Sequence, residues 1–384
     1  MMETIQITEG RAKLVVPKAS FKDPFHLEVF YNPKMQFNRS ISAVAFNASL
    51  PLLPENPSVV DGLCSLGARG IRYYLEAGGK SGPSSKKRFF FVDANNDAMK
   101  HLKKNIKLNK LRGTKVSNED LNKFFLSSDE YFDFIEIDPF GSPVFFLESA
   151  IRRAKKTAVL SVTATDLANL AGARMGPCLR HYAARPLKCE YAHEIALRIL
   201  LGKMAFDAAK FDYSIKPLFS FYQLHFVKAM VFLEKGADKA DSCLKQIGFI
   251  SRCQKCLHRE TGKTPKEKCR ECGSELDYAG PLWLGELCEG EFISRMQALN
   301  SKVRSANQEE ISRVLALLLA ECGMPPTFYD LHCLSRSGKS KIGKLADVVK
   351  KLEQKGFKAS KTHFSTVSVR TNAPLMEVKK AAMK

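Results

Sequence analysis

Asp138-Pro139-Phe140-Gly141 places an acid, a proline carbonyl, an aromatic ring and a flexible residue in an order that suits one kind of chemistry. A carboxylate and a carbonyl accept hydrogen bonds from the N–H groups of an exocyclic amine, and a ring holds the flat base by stacking. Together they aim the amine nitrogen, whose lone pair is delocalised into the base, at a methyl donor. Standing alone, the tetrapeptide is equally a tight turn after a strand. A second set consists of Asp61, Gly62, Gly67 and Gly70, around a turn where the backbone can approach a ligand closely. Asp93 ends another apolar run, at the place where an acid accepts bonds from ribose hydroxyls. These residues suit NAD as well as S-adenosylmethionine.

A third set is made of sulfur. Cys253 and Cys256 form one CxxC, Cys269 and Cys272 another, with twelve residues between the pairs. Four thiolates on two tight turns satisfy tetrahedral zinc and leave no open position, so the expected ion is structural. The other seven of the eleven cysteines read as small core residues, because an odd, scattered set is no disulfide framework. Two Gly-Lys-Ser triplets, at 79–81 and 338–340, lack the P-loop's upstream glycine, having Tyr74 and Cys333 in its place.

The elements that must position these residues alternate along 59–165. Apolar runs at Val59 to Cys64, Phe89 to Ala94, Phe132 to Phe140 and Thr157 to Thr165, with a short one near Val116 to Glu119, predict strands. Amphipathic stretches from Ile71 and from Asp97 to Leu108 predict helices between them. Continuous apolar runs imply burial on both faces, hence a doubly wound α/β sheet. Residues 171–235 read as mostly helical, with Phe219 to Leu233 returning to the sheet. Beyond the cysteines, helices are expected within Glu291 to Cys322 and Lys344 to Lys355. With the β-prone THFSTVSVRT they make a small α+β module of winged-helix type.

The 384 residues, 45% hydrophobic and 26% charged, suffice for two domains with cores and exclude collagen, disordered tails and disulfide-stapled scaffolds. No apolar run approaches the roughly 18 residues of a membrane span. The first residues show neither a signal core nor a transit pattern, so a cytoplasmic address without membrane is expected. Sixty Lys and Arg against forty Asp and Glu leave +20, which points to a polyanionic partner, nucleic acid first. Half of that surplus sits in residues 335–384, with 13 basic and 3 acidic side chains; the plainer alternative is a solvated surface.

Motifs in series give the chain its resemblance. VFYNPKMQFNRSIS (Val29 to Ser42), GARGIR (Gly67 to Arg72), IDPFGSP (Ile137 to Pro143), TATDLANLAGA (Thr163 to Ala173), YAARPLKCEYAHEIALRILL (Tyr182 to Leu201), AGPLWLGEL (Ala279 to Leu287), MPPTFYDLHCLS (Met324 to Ser335) and THFSTVSVRTNAP (Thr362 to Pro374) together resemble the archaeal and eukaryotic tRNA (guanine(26)-N2)-dimethyltransferase family. The resemblance implies a class I, Rossmann-like S-adenosylmethionine-dependent methyltransferase domain over residues 1–248. It also implies a smaller zinc-containing, tRNA-binding α+β domain with a zinc ribbon over 249–384. Carried over residue by residue, it makes Arg39, Arg69, Arg72, Asp93 and Asp120 cofactor contacts, with Arg39 reaching over the methionine carboxylate, and Asp138, Pro139 and Phe140 the target-base site. Ser40 departs from the family's acid, and Thr366, Ser368 and Asn372 from its proline, glycine and aspartate. His181 and His193 read as core histidines.

The function expected is methyl transfer to guanine N2 of tRNA position 26. Another RNA amine, and a non-catalytic zinc-ribbon RNA-binding protein, remain alternatives. One or two methyl additions, acceptance of a neighbouring guanosine, tRNA orientation and oligomeric state stay open, with a monomer the simplest expectation.

Overall fold

The aromatic and β-branched runs of the first half favour extended backbone and are covered on both faces, so they assemble into one central sheet. The computed structural model describes residues 3–24, 26–77, 88–302, 306–338 and 341–383. A hairpin of β1 (Thr4–Glu9) and β2 (Ala12–Pro17), turning at Gly10, comes first, and α1 (Gln36–Ser49) follows it. The chain then runs β3 (Ser58–Gly62), α2 (Ala68–Glu76), β4 (Arg88–Val92), α3 (Asn96–Leu108), β5 (Thr114–Ser117), α4 (Leu121–Ser127), β6 (Phe132–Ile137), α5 (Val144–Arg152) and β7 (Ala154–Ala164). Three helices, α6 (Leu167–Leu170), α7 (Met175–Tyr182) and α8 (Ala192–Ala209), lead to a hairpin of β8 (Tyr213–Gln223) and β9 (Phe226–Lys235). The expected single returning run is thus two antiparallel strands, split at Leu224, which takes a left-handed conformation at φ 50°.

The sheet order is β5-β4-β3-β6-β7-β9-β8. β3 to β7 are parallel, while β9 joins β7 antiparallel. From β3 the chain winds outward through β4 and β5, then crosses back to β6 and β7, so the winding reverses between β3 and β6. Ligands of open α/β sheets bind beyond the strand ends at such a point. Every residue of β3 and β6 is buried. α1 seals one face, with Phe46 stacked on Tyr73 at 4.7 Å between ring centroids and meeting Phe134 edge-on at 4.8 Å.

After α9 (Ala237–Leu244) comes a three-stranded antiparallel sheet of β10 (Ile247–Cys253), β11 (Arg259–Gly262) and β12 (Leu276–Trp283), in the order β11-β10-β12. Next are α10 (Gly290–Asn300), α11 (Gln308–Glu321), β13 (Tyr329–Asp330), α12 (Leu331–Gly338), α13 (Leu345–Gln354), β14 (Ala359–Thr362), β15 (Ser365–Thr371) and α14 (Leu375–Ala382). From α11 to β15 the order is helix, strand, two helices and two strands, with the last strand lying between the other two, which is the winged-helix arrangement.

The division expected at 248/249 falls inside β10. Ile250, Leu282, Trp283, Phe292, Ile311 and Phe364 share the apolar core of the first part, and only a smaller cluster from Tyr329 to Ala382, with Leu257, stands apart. The Gly-Lys-Ser at 79–81 lies outside the described residues. The one at 338–340 begins on the last residue of α12, and its Lys339 and Ser340 lie outside them too.

Candidate active site and metal centre

The turn after β3 is built from unusual backbone. Leu63 and Ser65 have φ of 59° and 48°, and Gly67 sits at 82°, where a side chain is strained. Gly70, the first-turn glycine of α2, is close-packed: a Cβ there would lie 2.6 Å from Asp61 Oδ2. Asp61 uses that closeness to accept the Gly70 N–H at 2.9 Å. Burial pushes the Asp61 carboxyl up to about 7, with Arg69 pulling the other way.

Asp93, just past β4, accepts the backbone N–H of Ser65 at 2.7 Å on Oδ2 and of Asn95 at 2.8 Å on Oδ1. Asn95 in turn caps α3 by accepting from Asp97 and Ala98, both at 3.0 Å. Both Asp93 oxygens keep lone pairs for ribose hydroxyls, and the carboxylate is partly exposed. Asp120 is exposed and caps α4 through the Lys123 N–H at 3.0 Å. The strained turn and the partly exposed Asp93 fit the nucleoside part of S-adenosylmethionine.

Asp138 follows β6. Its Oδ2 takes an ion pair from Arg69 Nη2, while Oδ1 has no hydrogen bond among the described residues. Pro139 is buried and Phe140 is 73% exposed. The loop is pinned from behind: Gly141 donates to Thr165 Oγ1 at 2.7 Å, and Ser142 reaches the Tyr182 hydroxyl at 2.9 Å. Phe30 meets Phe140 edge-on at 4.5 Å, and its carbonyl accepts from Ser65 Oγ at 2.8 Å, which ties the loop before α1 to the turn after β3. Phe30 and Phe140 thus make an aromatic pair at the loop that follows Asp138.

The three arginines expected on the cofactor are all engaged. Arg39 and Arg72 converge on Glu9, a buried residue of β1: Arg39 Nε and Nη2 lie 2.8 and 2.7 Å from its two oxygens, and Arg72 Nη1 lies 3.1 Å away. Burial alone would raise the Glu9 carboxyl, yet Arg39 and Arg72 hold it down at about 2. Arg72 also chelates Glu76 at 2.7 and 3.0 Å and donates to Ser40 Oγ at 2.8 Å, so the hydroxyl takes a bond where the family expects an acid. Arg72 has no exposed surface. Arg69 points to Asp138 instead. Its Nη1 lies 3.6 Å from the buried Glu136, which pairs with Lys228 at 2.6 Å and accepts the Tyr73 hydroxyl at 2.8 Å.

Histidines play no part in the loop. His193 stacks on Tyr222 at 4.0 Å, and burial lowers its pKa; His181 lies edge-on to Phe145 at 5.3 Å. Ser368 is buried and bonds Ser365 Oγ at 2.7 Å, while Asn372 accepts the Lys358 N–H at 2.9 Å, so both serve the wing's own strands.

The four cysteines do converge. All four sulfurs lie within 4.8 Å of one another, with Cys253 to Cys272 and Cys256 to Cys269 each at 3.5 Å. Sulfurs 2.3 Å from a tetrahedral zinc stand about 3.8 Å apart, and a disulfide needs roughly 2 Å. The cluster is therefore compatible with a structural zinc. Its knuckles are left-handed turns at Leu257 (φ 69°) and Gly273 (φ 70°), the latter donating to the Cys269 carbonyl at 2.8 Å. Leu257 packs into the smaller C-terminal core, and Arg259 lies 3.2 Å over the Tyr329 ring, so the metal centre clasps the wing module.

Glu9, Phe30, Glu136 and Lys228 are absent from the sequence expectations. Two left a signal: Glu136 and Lys228 are charged residues inside mostly apolar strand runs, FDFIEI, which also holds Asp133, and FVKAMVFL. Glu9 and Phe30 left none, being far in sequence from what they touch.

The reversal of winding at β3/β6, the antiparallel closing hairpin and an acid after β4 define a class I, S-adenosylmethionine-dependent methyltransferase. The profile of the N2,N2-dimethylguanosine tRNA methyltransferases matches residues 10–383. A Methanothermobacter thermautotrophicus protein named tRNA (guanine(26)-N(2))-dimethyltransferase is 39% identical over 97% of both chains. An Aquifex aeolicus protein named tRNA (guanine(26)-N(2)/guanine(27)-N(2))-dimethyltransferase is 34% identical over 99% of this chain and 95% of its own. The solved complex of Trm1 from Pyrococcus horikoshii with S-adenosyl-L-methionine superposes with a TM-score of 0.86 at 33% identity, covering 99% of this chain and all of that one. The chain belongs to the N2,N2-dimethylguanosine tRNA methyltransferase family.

Proposed function

We propose that the protein transfers one or two methyl groups from S-adenosylmethionine to the exocyclic N2 of guanosine 26 of tRNA. The observation that carries this is Asp138, whose Oδ2 is held by the buried Arg69 while Oδ1 has no hydrogen bond among the described residues, two residues before the exposed Phe140. In this reading Oδ1 and the Pro139 carbonyl accept the two N2–H groups, and Phe140 stacks on the guanine. The cofactor supplies a methyl carbon on a positively charged sulfur. Asp93 holds the ribose and Asp120 borders the adenine. Arg39, whose Nη1 bonds the Asn32 carbonyl alone among the described residues, receives the methionine carboxylate, and Arg72 steadies it through Glu9. As N2 is methylated, the proton it sheds passes to the Oδ1 side of Asp138 or to solvent.

Residues 249–384 carry the zinc centre and grip the tRNA. Lys341, Lys344, Lys350 and Lys361 are exposed and have no ion pair among the described residues, whereas Arg370 is buried and paired, so it serves the fold rather than RNA. Among the described residues no helix is long and apolar enough to cross a membrane. We place the enzyme in the cytoplasm, acting as a monomer.

The test is nucleoside mass analysis of tRNA incubated with enzyme and S-adenosylmethionine. N2-methylated guanosine should appear, and a tRNA with another base at position 26 should yield none. Methylation elsewhere, or on adenine, would overturn the assignment.

A further inference from the structure

We propose that Arg69, Glu136 and Lys228 are positioning residues for Asp138, acting on its carboxylate from within the sheet. This rests on the reading that Asp138 accepts the target amine.

Three of these four charges lie in the interior: Glu136 and Lys228 have no exposed surface and Arg69 is 7% exposed. Taking ions out of water is costly, and well-packed apolar residues of similar volume usually fold as well or better, so such a set calls for a use. Its geometry supplies one. Lys228, reaching in from β9, bonds Glu136 Oε1 at 2.6 Å and Thr163 Oγ1 at 3.2 Å. Tyr73 takes the other Glu136 oxygen at 2.8 Å. The fixed Glu136 then faces Arg69 Nη1, which also donates to Ser42 Oγ at 2.9 Å. A guanidinium held on α1 and β6 has one fork left, Nη2, and that fork meets Asp138 Oδ2.

The consequence concerns rotation. The terminal torsion of an aspartate is broad and roughly two-fold, so an untethered Asp138 would offer either oxygen over a range of angles. Tethering Oδ2 leaves Oδ1 as the one carboxylate oxygen without a partner among the described residues, held at a fixed angle. Errors of about 1 Å at a reacting centre can lower rates about 100-fold, so the tether acts on turnover rather than on cofactor binding.

The experiment uses full-length Lys228→Met and Arg69→Lys, each alone and combined with Asp138→Asn, with single-turnover methyl transfer to tRNA, calorimetric S-adenosylmethionine binding and thermal unfolding. Lys228→Met should lower turnover about 10- to 100-fold with cofactor affinity within about threefold. Neither change should lower the residual rate further in the Asp138→Asn background, because residues acting through one another are not additive. A merely structural role would instead give additive losses tracking the melting temperature. Arg69→Lys keeps the charge without the fork and decides the matter should Lys228→Met fail to fold. Turnover within twofold of wild type in a folded variant, with Asp138→Asn inactive, overturns the tether and leaves the function standing. An active Asp138→Asn removes Asp138 as the acceptor, and the tether with it, while the methyl transfer itself is judged by the nucleoside analysis.

Discussion

Glu136, Lys228 and Arg72 have no surface in water, while Lys341, Lys344, Lys350 and Lys361 stand in it without an ion pair among the described residues. Both groups carry charge, and the two regions use it in opposite ways. Inside the catalytic sheet a charge acts at a fixed distance on a fixed partner, and removing one member strands the other. On the wing module exposed charges are screened by salt and, in the proposed grip on tRNA, act together and substitute for one another. Between the regions lies a third set, Glu194, Arg370 and Glu321. Arg370, from the strongly basic tail, points inward to Glu194 at 2.7 Å and Glu321 at 3.0 Å. Position in the fold, more than position in the charge-rich tail, sets what a basic residue does.

The contrast can be broken at its strongest point first. Asp138→Asn should lower methyl transfer about 10²- to 10⁴-fold while S-adenosylmethionine still binds in calorimetry; near-normal turnover would take the catalytic loop out of the comparison. Next in size is the metal centre. Cys269→Ser should lose zinc in metal analysis and cost on the order of 5 kcal/mol, seen as earlier unfolding of the wing module, since four-thiolate binding energy is folding energy. Unchanged stability would detach the clasp from the wing.

Glu194→Gln probes the junction. It should cost about 3 kcal/mol in urea unfolding at neutral pH, because it leaves the buried Arg198 without its ion-pair partner and Arg370 with Glu321 alone. Burial alone would raise the Glu194 carboxyl, but Arg370 and Arg198 hold it at about 2 against an ordinary 4.5. A depressed carboxylate contributes stability that is complete above about 4.5 and fades as pH falls toward 2. The wild type should therefore lose stability on acidification in that window, and the variant should lose less; equal pH slopes would count against the pairing.

The smallest effects belong to the surface. Lys341, Lys344 and Lys361 changed together to Ala should weaken tRNA binding and lower the slope of log affinity against log salt by about two to three. Cofactor affinity should not change. An unaltered slope would turn these lysines into mere solvating groups and move the RNA path to the catalytic domain, where Arg174 and Arg180 on the α7 segment are exposed.

What could be read from the chain follows the same divide. The central strands are visible because apolar runs declare double burial, and the four-cysteine cluster because CxxC spacing declares knuckles. The two strands β8 and β9 read as one because the Leu224 turn carries no glycine or proline to mark it. β1 and β2 went unread, and with them Glu9, since what makes Glu9 important lies thirty and sixty-three residues away in Arg39 and Arg72. Motif position alone suggests cofactor contacts at Arg69 and Arg72; packing adds what no spacing carries, that one meets Asp138 and the other Glu9. The tail's +10 hid the inward turn of Arg370 for the same reason.

Lys228 has one more effect, on how the sheet closes. β9 is the strand that adds antiparallel to an otherwise parallel array, with Lys228 opposite Thr163 of β7. Sliding β9 by one residue would turn Lys228 to the other face and bring Val227 or Ala229 to the place where Glu136 needs a cation. Val and Ala would pack tolerably in either alignment, so apolar residues alone do little to choose between them. The buried lysine makes the wrong alignment leave a bare carboxylate in the interior, and the same ammonium that steadies the reacting loop also indexes the strand that completes the sheet.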